Sequence, residues 1–476
     1  MPDLDLRRQV LESGKTVSRK ARAKQLSGAN SKVSSAANSP AASRNASRAA
    51  SRNVSDEEEG NLSDETSMSM NSIDDVVAAQ LESSPEAWKA LLEDRITEIL
   101  DRKRSSTEGR ADTLAAYCYL LKVHYAYDEI DHKVVELVPA ILKSLKSDSS
   151  ERETQNALKA IELTLITVPS DDLYDSVAGP IKRIIENSES SALRVAAIHT
   201  HGIVTFYGGA SSDETEEVMD FYLSIAESDG YSIEAGDDGA VVTAALEEWG
   251  FLATLSDDLE HVCEIAMDVF VEQLNSSDLD VQIAAGEDIA LLFEKSLGEI
   301  EDADEQVENE IDDPDIPPGG PRFFKRYTVY RREDQLQHAL SALATTSHSV
   351  GRVAQSDRKR MRSNFSDILN TVEYPARGPR YSTALSSSGR SYGSRMHVKI
   401  GKSGEMNIDK WWKLFRLKAL RRALQGGFLT HYEKNDVVFE SLPVMVAKRS
   451  RRSSMDKKSR GLSKWGSDAV QDYDLE

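Results

Sequence analysis

A chain of 476 residues, 39 % of them hydrophobic, has room for two or three domains and enough apolar mass for a core. Its net charge of −22 is held unevenly: residues 76–320 carry 16 basic against 54 acidic side chains, residues 321–476 carry 31 against 15, and residues 1–75 carry 11 of each. No stretch approaches 18 uninterrupted apolar residues, which argues against a membrane-spanning helix, and the opening MPDLDLRRQVLESGK has no apolar core of the secretory type.

Residues 1–75 are rich in Ser, Ala, Asn and Arg and nearly devoid of aromatic side chains. Such a leader cannot bury enough apolar area to offset chain entropy, so disorder is predicted there. Arg44, Arg48 and Arg52 each stand three positions before Ser47, Ser51 and Ser55, a spacing that suits a kinase preferring basic residues. Ser55 and Ser63 also precede acidic residues. These serines, with Ser453 further on, are candidate phosphorylation sites; the alternative is plain low complexity.

From Val76 a helical period takes over. Arg110, Arg152 and Arg194 lie 42 residues apart, and each opens an Ala-rich apolar run. Continuing the period lands near Asp238 and Gln282. A repeat of about 40 to 47 residues carrying helix pairs marks a HEAT or armadillo-type solenoid. The pattern predicts helices over 86–103, 111–126, 131–146, 151–168, 171–187, 191–207, 213–228, 238–255, 258–274 and 279–297, or about five pairs. Ser170 to Asp172 and Ser276 to Asp278 read as N-caps, and Pro139 as a kink. In the last helix Val281, Ala285, Ile289, Leu292 and Phe293 share one face, and Gly286 marks a close helix approach. Cys118 and Cys263 have no partner at metal spacing and read as buried, reduced thiols of a cytosolic or nuclear protein.

An acidic stretch at about 299–321, ended by prolines and glycines, reads as a mobile insertion. Helices follow near 330–345 and 356–373; in the second, Met361, Phe365, Ile368, Leu369 and Val372 form an apolar stripe that closes the repeat domain at about residue 375. Residues 376–395 read as a linker. Residues 396–446 read as a small α(+β) module with strands at 396–400 and 405–408 and a helix over 409–425, and residues 447–476 as a basic tail. The fold class is therefore all-α, a helical-repeat solenoid with a small C-terminal module.

No catalytic constellation appears. His199 and His201 are two apart and point to different sides of a helix. Gly401 to Gly404 lacks the first glycine of a phosphate loop and reads as a hairpin turn. Neither a cofactor nor a metal nor a small-molecule substrate is expected, and no membrane.

Three basic elements stand out as candidate anion or nucleic-acid contacts. Arg358, Lys359, Arg360 and Arg362 occupy the first turns of a helix capped by Ser356 or Asp357. Cations there oppose the helix dipole, which a chain selected only for stability would avoid. The competing reading is a solvated basic turn facing the chain's own acidic solenoid. Lys410, Lys413, Arg416, Lys418, Arg421 and Arg422 interleave with Trp411, Trp412 and Phe415, a pattern able to stack on bases and neutralise phosphates. The competing reading is a mostly buried helix with snorkelling cations. Lys448, Arg449, Arg451 and Arg452 open the tail, as an RNA-binding extension, an import signal or a solubilising segment.

VQIAAGEDIALLFE (Val281–Glu294) and SDRKRMRSNFSDILNTVE (Ser356–Glu373) resemble the N-terminal domain of the interferon-related developmental regulator family. The run from Trp411 through Leu424 to NDVVFESLPV (Asn435–Val444) resembles that family's short C-terminal domain. The resemblance covers about residues 76–446. It implies a non-enzymatic repeat protein, either a factor occupying translationally inactive ribosomes or a nuclear co-regulator working with histone deacetylase complexes. The basic C-terminal third fits contact with rRNA, while the acidic solenoid faces away or meets basic ribosomal proteins; localisation is then cytoplasmic, nuclear or both.

Overall fold

Each Ala-rich run begins on a side chain that satisfies the orphaned N–H groups of a helix start. Ser106, Ser150, Ser190, Asp238 and Asp278 all accept from backbone N–H groups two or three residues on. The computed structural model describes residues 86–102, 105–146, 150–300, 309–311, 313–316, 321–345, 355–385, 391–400, 404–443 and 446–448. All of these fall in one unit, Glu58–Glu476. The leader and its candidate sites Ser47, Ser51, Ser55 and Ser63 lie outside the described residues, as do Arg449, Arg451, Arg452 and Ser453.

Six helix pairs form among the described residues. Helix α1 (Ala87–Leu100) pairs with α2 (Thr107–Val123), and a single turn, α3 (Tyr127–Ile130), leads to α4 (Val134–Leu142) and its partner α5 (Glu151–Thr167). Then α6 (Tyr174–Asn187) pairs with α7 (Ser191–Tyr207), α8 (Ser212–Glu227) with α9 (Gly239–Ala253), and α10 (Glu260–Gln273) with α11 (Leu279–Lys295). Strands β1 (Leu297–Ile300) and β2 (Arg322–Lys325) pair antiparallel around the acidic stretch. The sixth pair is α12 (Glu333–Thr345) with α13 (Gln355–Glu373). The second helices pack on one another in order, α2 on α5, then α7, α9, α11 and α13, which is the stacking a repeat needs to bury its apolar faces.

The 42-residue arginine period has a physical basis. Arg110 of α2 reaches the next repeat and binds the fully buried Glu153 of α5 through both carboxylate oxygens, at 2.8 and 2.9 Å. Arg194 of α7 donates to the Glu234 carbonyl ahead of α9 at 3.1 Å. Arg152 pairs back to Glu108 and Asp112. Each arginine ties one repeat to a neighbour.

Several expectations need correction. The predicted 131–146 helix is broken into α4 and flanking 3₁₀ turns, with Pro139 inside α4. Ser170 does not cap α6; its hydroxyl accepts from Asp172 N–H in a local turn, and α6 starts at Tyr174. The 376–395 segment contains an antiparallel hairpin, β3 (Tyr381–Leu385) with β4 (Ser391–Ser394). The acidic stretch is anchored where it is described: Arg322 binds Glu310 bidentately at 2.6 and 2.7 Å, and the buried Arg377 does the same to Asp313 at 2.6 and 2.9 Å while stacking on Tyr374. Helix α11 buries more than the predicted face, since Ile289 through Phe293 are all 0 % exposed. A helix apolar all round is covered on both sides. The covering elements are α13 and the C-terminal segment. At Gly286 an added Cβ would stand 2.7 Å from Ile368 and 3.2 Å from Phe365 of α13, the close approach that residue permits.

The C-terminal segment lies across the second helices as a third layer. Strands β5 (His397–Ile400), β6 (Gly404–Asn407) and β7 (Val446–Lys448) form an antiparallel sheet, with Ile400 opposite Gly404. Helix α14 (Trp411–Leu424) packs on α5, α9 and α11. Helices α15 (Phe428–Lys434) and α16 (Asp436–Ser441) continue along the stack: His431 meets the Leu121 carbonyl at 2.7 Å, and Asn435 donates to the Ile166 carbonyl at 2.9 Å.

Candidate nucleic-acid interface

Helix α13 presents its basic turns to solvent on a firmly held stem. Phe365 and Ile368 are 0 % exposed and Val372 3 %, while Arg358, Lys359, Arg360 and Arg362 are exposed. The helix begins at Gln355, so Ser356 and Asp357 lie within its first turn rather than at the cap. Asp357 there complements the dipole, and Ser356 donates to it at 3.2 Å. Arg360 pairs with Asp280 of α11 at 2.5 Å, so the cluster is not four equivalent cations. Exposed guanidinium and ammonium groups near a helix N-terminus suit phosphate or carboxylate oxygens.

Helix α14 tells a different story. Its tryptophans belong to the interior: Trp411 is 2 % exposed and its indole N–H donates to Thr371 at 2.8 Å, while Trp412 packs against the core. Its cations are engaged with the chain itself. Arg416 donates to the hydroxyl and carbonyl of Thr254 and to the Ser441 carbonyl, and lies between the rings of Phe206 and Trp412. Lys418 pairs with Glu287, and Arg422 pairs with Glu247 at 3.0 Å and with Glu248. Lys413 bonds Asp409 at 2.6 Å, Lys410 reaches the Ala376 carbonyl at 3.4 Å, and Arg421 lies over Phe428. Of the six expected base-and-phosphate contacts, Arg416, Lys418 and Arg422 thus sit in a seam with α9, α11 and the turn after α9 within the chain, while Lys410, Lys413 and Arg421 meet groups of the C-terminal third. Lys448 stands in β7 opposite Gly404.

The electrostatics of that seam follow from burial. Burial pulls the pKa of the Arg422 guanidinium down, but Glu248 and Glu247 outweigh it and leave it raised. Burial pushes the Glu248 carboxyl up to about 8 against the pull of Arg422. It also holds the His199 imidazole, 2.9 Å from Glu248, down at about 3. His201 points elsewhere, to Tyr222 at 3.0 Å. Burial likewise pushes the Cys118 and Cys263 thiols up to about 12, and each bonds a separate backbone carbonyl. Among the described residues no group of three or more His, Cys, Asp or Glu is placed to hold a metal ion, and no helix is long and apolar enough to cross a membrane.

The partners missed at the level of sequence are Glu247, Glu248, Glu287 and Glu294. A signal was there: these acids interrupt the largely apolar helices α9 and α11, and Glu287 and Glu294 are seven apart, on one helical face. Lys418, four residues before Arg422 on α14, is the complement of Glu287, and Arg422 that of Glu247 and Glu248.

A family model described as Interferon-related developmental regulator matches residues 55–373. An uncharacterized protein of Schizosaccharomyces pombe is 27 % identical over 380 residues, covering 78 % of this chain and 79 % of that protein. Interferon-related developmental regulator 1 of Homo sapiens is 24 % identical over 376 residues, 75 % of this chain and 72 % of its own length. Interferon-related developmental regulator 2 of Mus musculus is 23 % identical over 394 residues, with 78 % and 76 % covered.

Proposed function

Because the chain belongs to the interferon-related developmental regulator family, a family of regulatory proteins, we propose that it is a non-enzymatic regulator of translation that binds ribosomes through rRNA. The observation that carries this reading is the exposed Arg358, Lys359 and Arg362 turn on the buried stem of α13. It is the described basic element whose cations are not drawn into the α14 seam. The tail beginning at Lys448 adds further positive charge. The acidic repeats between Val195 and Gly320, where Lys295 is the only Lys or Arg, would repel phosphate and so orient the molecule with its basic end toward RNA.

The test is sedimentation of cell lysate on sucrose gradients, with and without ribonuclease and at two salt concentrations. Co-migration with monosomes that is lost at high salt, and lost again when Arg358, Lys359 and Arg362 are changed to Glu, supports the reading. Migration only in light fractions with nuclear enrichment overturns it in favour of a nuclear scaffold for protein complexes such as histone deacetylase assemblies.

A further inference from the structure

We propose that the outer face formed by α8 and α10 is a docking groove for a basic, amphipathic segment of a partner protein. A cavity of about 320 Å³ lies between these two first helices. Its floor is apolar: Met219 is 3 % exposed, Leu252 0 % and Leu259 2 %. Leu255, which lines the cavity, is 43 % exposed, and Ile265, one turn along α10 from His261 of the wall, is 66 % exposed. Single exposed aliphatic residues need no explanation, but Leu255 lines a concavity whose floor is already apolar, and Ile265 lies on the helix that forms its wall. A segment laying two apolar side chains, one helical turn apart, into the slot would take both out of water, the geometry of helix-in-groove recognition.

The rim selects the charge of the occupant. Glu216 and Asp257 line the cavity with side chains 45 % and 99 % exposed. Glu264, next to Ile265, is 77 % exposed, and Asp213, Asp220, Asp258 and Asp268 are exposed on the same two helices and the loop before α10. Neither α8 nor α10 contains a Lys or Arg. The cations that approach come from elsewhere: Lys295 donates to the Thr254 and Ser256 carbonyls and stands 3.7 Å from Asp257, Arg326 donates to the Asp257 carbonyl at 3.0 Å, Arg331 stands 3.7 Å from Glu264, and Lys182 lies over the Phe221 ring of α8. His261 is 3.3 Å from Glu216. An apolar slot in an acidic field fits Lys or Arg flanking two apolar residues and repels a phosphate chain. No residue of α13 or α14 lines it, so the inference stands apart from the RNA reading.

The test uses a fluorescent peptide of about 15 residues with Leu at helical spacing and Lys elsewhere, titrated onto the full chain by anisotropy. Two control peptides carry Ser for Leu or Glu for Lys. The expected result is saturable binding of the Leu–Lys peptide, weakened about tenfold or more by L255K with I265K at an unchanged unfolding midpoint, and about tenfold weaker for the Ser–Lys peptide. Equal binding of the Ser–Lys peptide reduces the site to diffuse charge and overturns the proposal. So does binding that the double variant leaves unchanged. Binding that emerges only when Arg449, Arg451 and Arg452 are changed to Ser also overturns it, and makes the chain's own tail the occupant. Ribosome co-sedimentation is read separately, so either idea can fail alone.

Discussion

Glu294, at the end of α11, closes the start of α14 by accepting the backbone N–H of Trp411 at 2.8 Å. Its other oxygen accepts from Trp412 at 3.1 Å, and Lys410 at the cap position offers no side chain for the task. The cap therefore comes from 117 residues away and couples the fifth repeat to the C-terminal layer. Burial raises the Glu294 carboxyl, while Lys410 and the two N–H groups favour its charge. Glu294→Ala leaves two buried donors without an acceptor and should cost about 2–4 kcal/mol in urea unfolding. Glu294→Gln, which keeps one acceptor, should cost roughly half of that. Equal stability of Glu294→Ala and the parent chain would remove the capping role.

Gly250 of α9 lies under the same helix. A Cβ there would stand 2.1 Å from Phe415 and 2.3 Å from the buried carboxyl of Asp288. On helix propensity alone Gly250→Ala gains about 1 kcal/mol. Overpacking against a ring held in the seam costs about 1–3 kcal/mol or more, so the net sign is destabilising. The expected readout is a lower urea midpoint together with faster proteolysis within 411–442, while a stabilised variant would show that α14 is loosely seated.

The cations of α14 and α13 should separate by assay. Arg422, 24 % exposed at its side chain and bonded to two carboxyl groups, should cost about 2–4 kcal/mol on truncation to Ala, because the buried Glu248 and its neighbour Glu247 both lose their donor. Arg358→Ala, on the exposed turn of α13, should stay within about 0.5 kcal/mol. Thermal or urea unfolding of the two variants checks this; a stability loss at Arg358 equal to that at Arg422 would mean that both are structural.

The repeats were readable because their signals are local: a Ser or Asp cap, an Ala-rich run and an arginine every 42 residues. The seam was not, because its pairs are remote. Glu287 is 131 residues from Lys418, and Glu248 is 174 from Arg422, so no window contains both halves. Without the partners, a helix of Trp, Lys and Arg looks like a nucleic-acid ladder; with them it is a strap over acidic helices. The β3–β4 hairpin was hidden for another reason. Its strand β4, SYGS, is short and rich in Ser and Gly, with weak intrinsic preference, and forms through pairing such as that of Ser394 with Tyr381. The exposed cluster on α13 was placed correctly on a helix start, but its cap was misplaced and Arg360 was already paired to Asp280.

Below pH 6.5, where the Glu248 carboxyl raised to about 8 is already protonated, the buried histidines should make the stack sensitive to acid. His201 is 1 % exposed, and burial, with Lys182 adding to it, lowers its pKa to about 4. The unfolded chain takes up that proton near 6.5 and the folded one does not, so the contribution is fully present above 6.5 and is lost as pH falls toward 4. Between pH 6.5 and about pH 5 His201 should account for roughly 2 kcal/mol of lost stability. His199, held down at about 3, adds to the slope in the same window. Urea unfolding at several pH values should show the decline, and His201→Gln should flatten it whatever its own stability. A slope untouched by His201→Gln would mean that the imidazole is protonated in the folded chain.

The salt dependence of RNA binding tests the α13 turn directly. Arg358, Lys359 and Arg362 project from a helix whose stem is fixed by Phe365 and Ile368, so changing them to Gln should leave the fold intact. Each phosphate contact contributes about 0.7 to 0.9 to the slope of log K against log salt, so the triple variant should lower that slope by about 2 to 3 on ribosomes or rRNA. Lys413→Gln is the control, since Lys413 is held by Asp409 at 2.6 Å and should leave the slope where it was. A triple variant that binds with the parent slope would take the contact away from α13, and a lowered slope in Lys413→Gln would return part of it to α14.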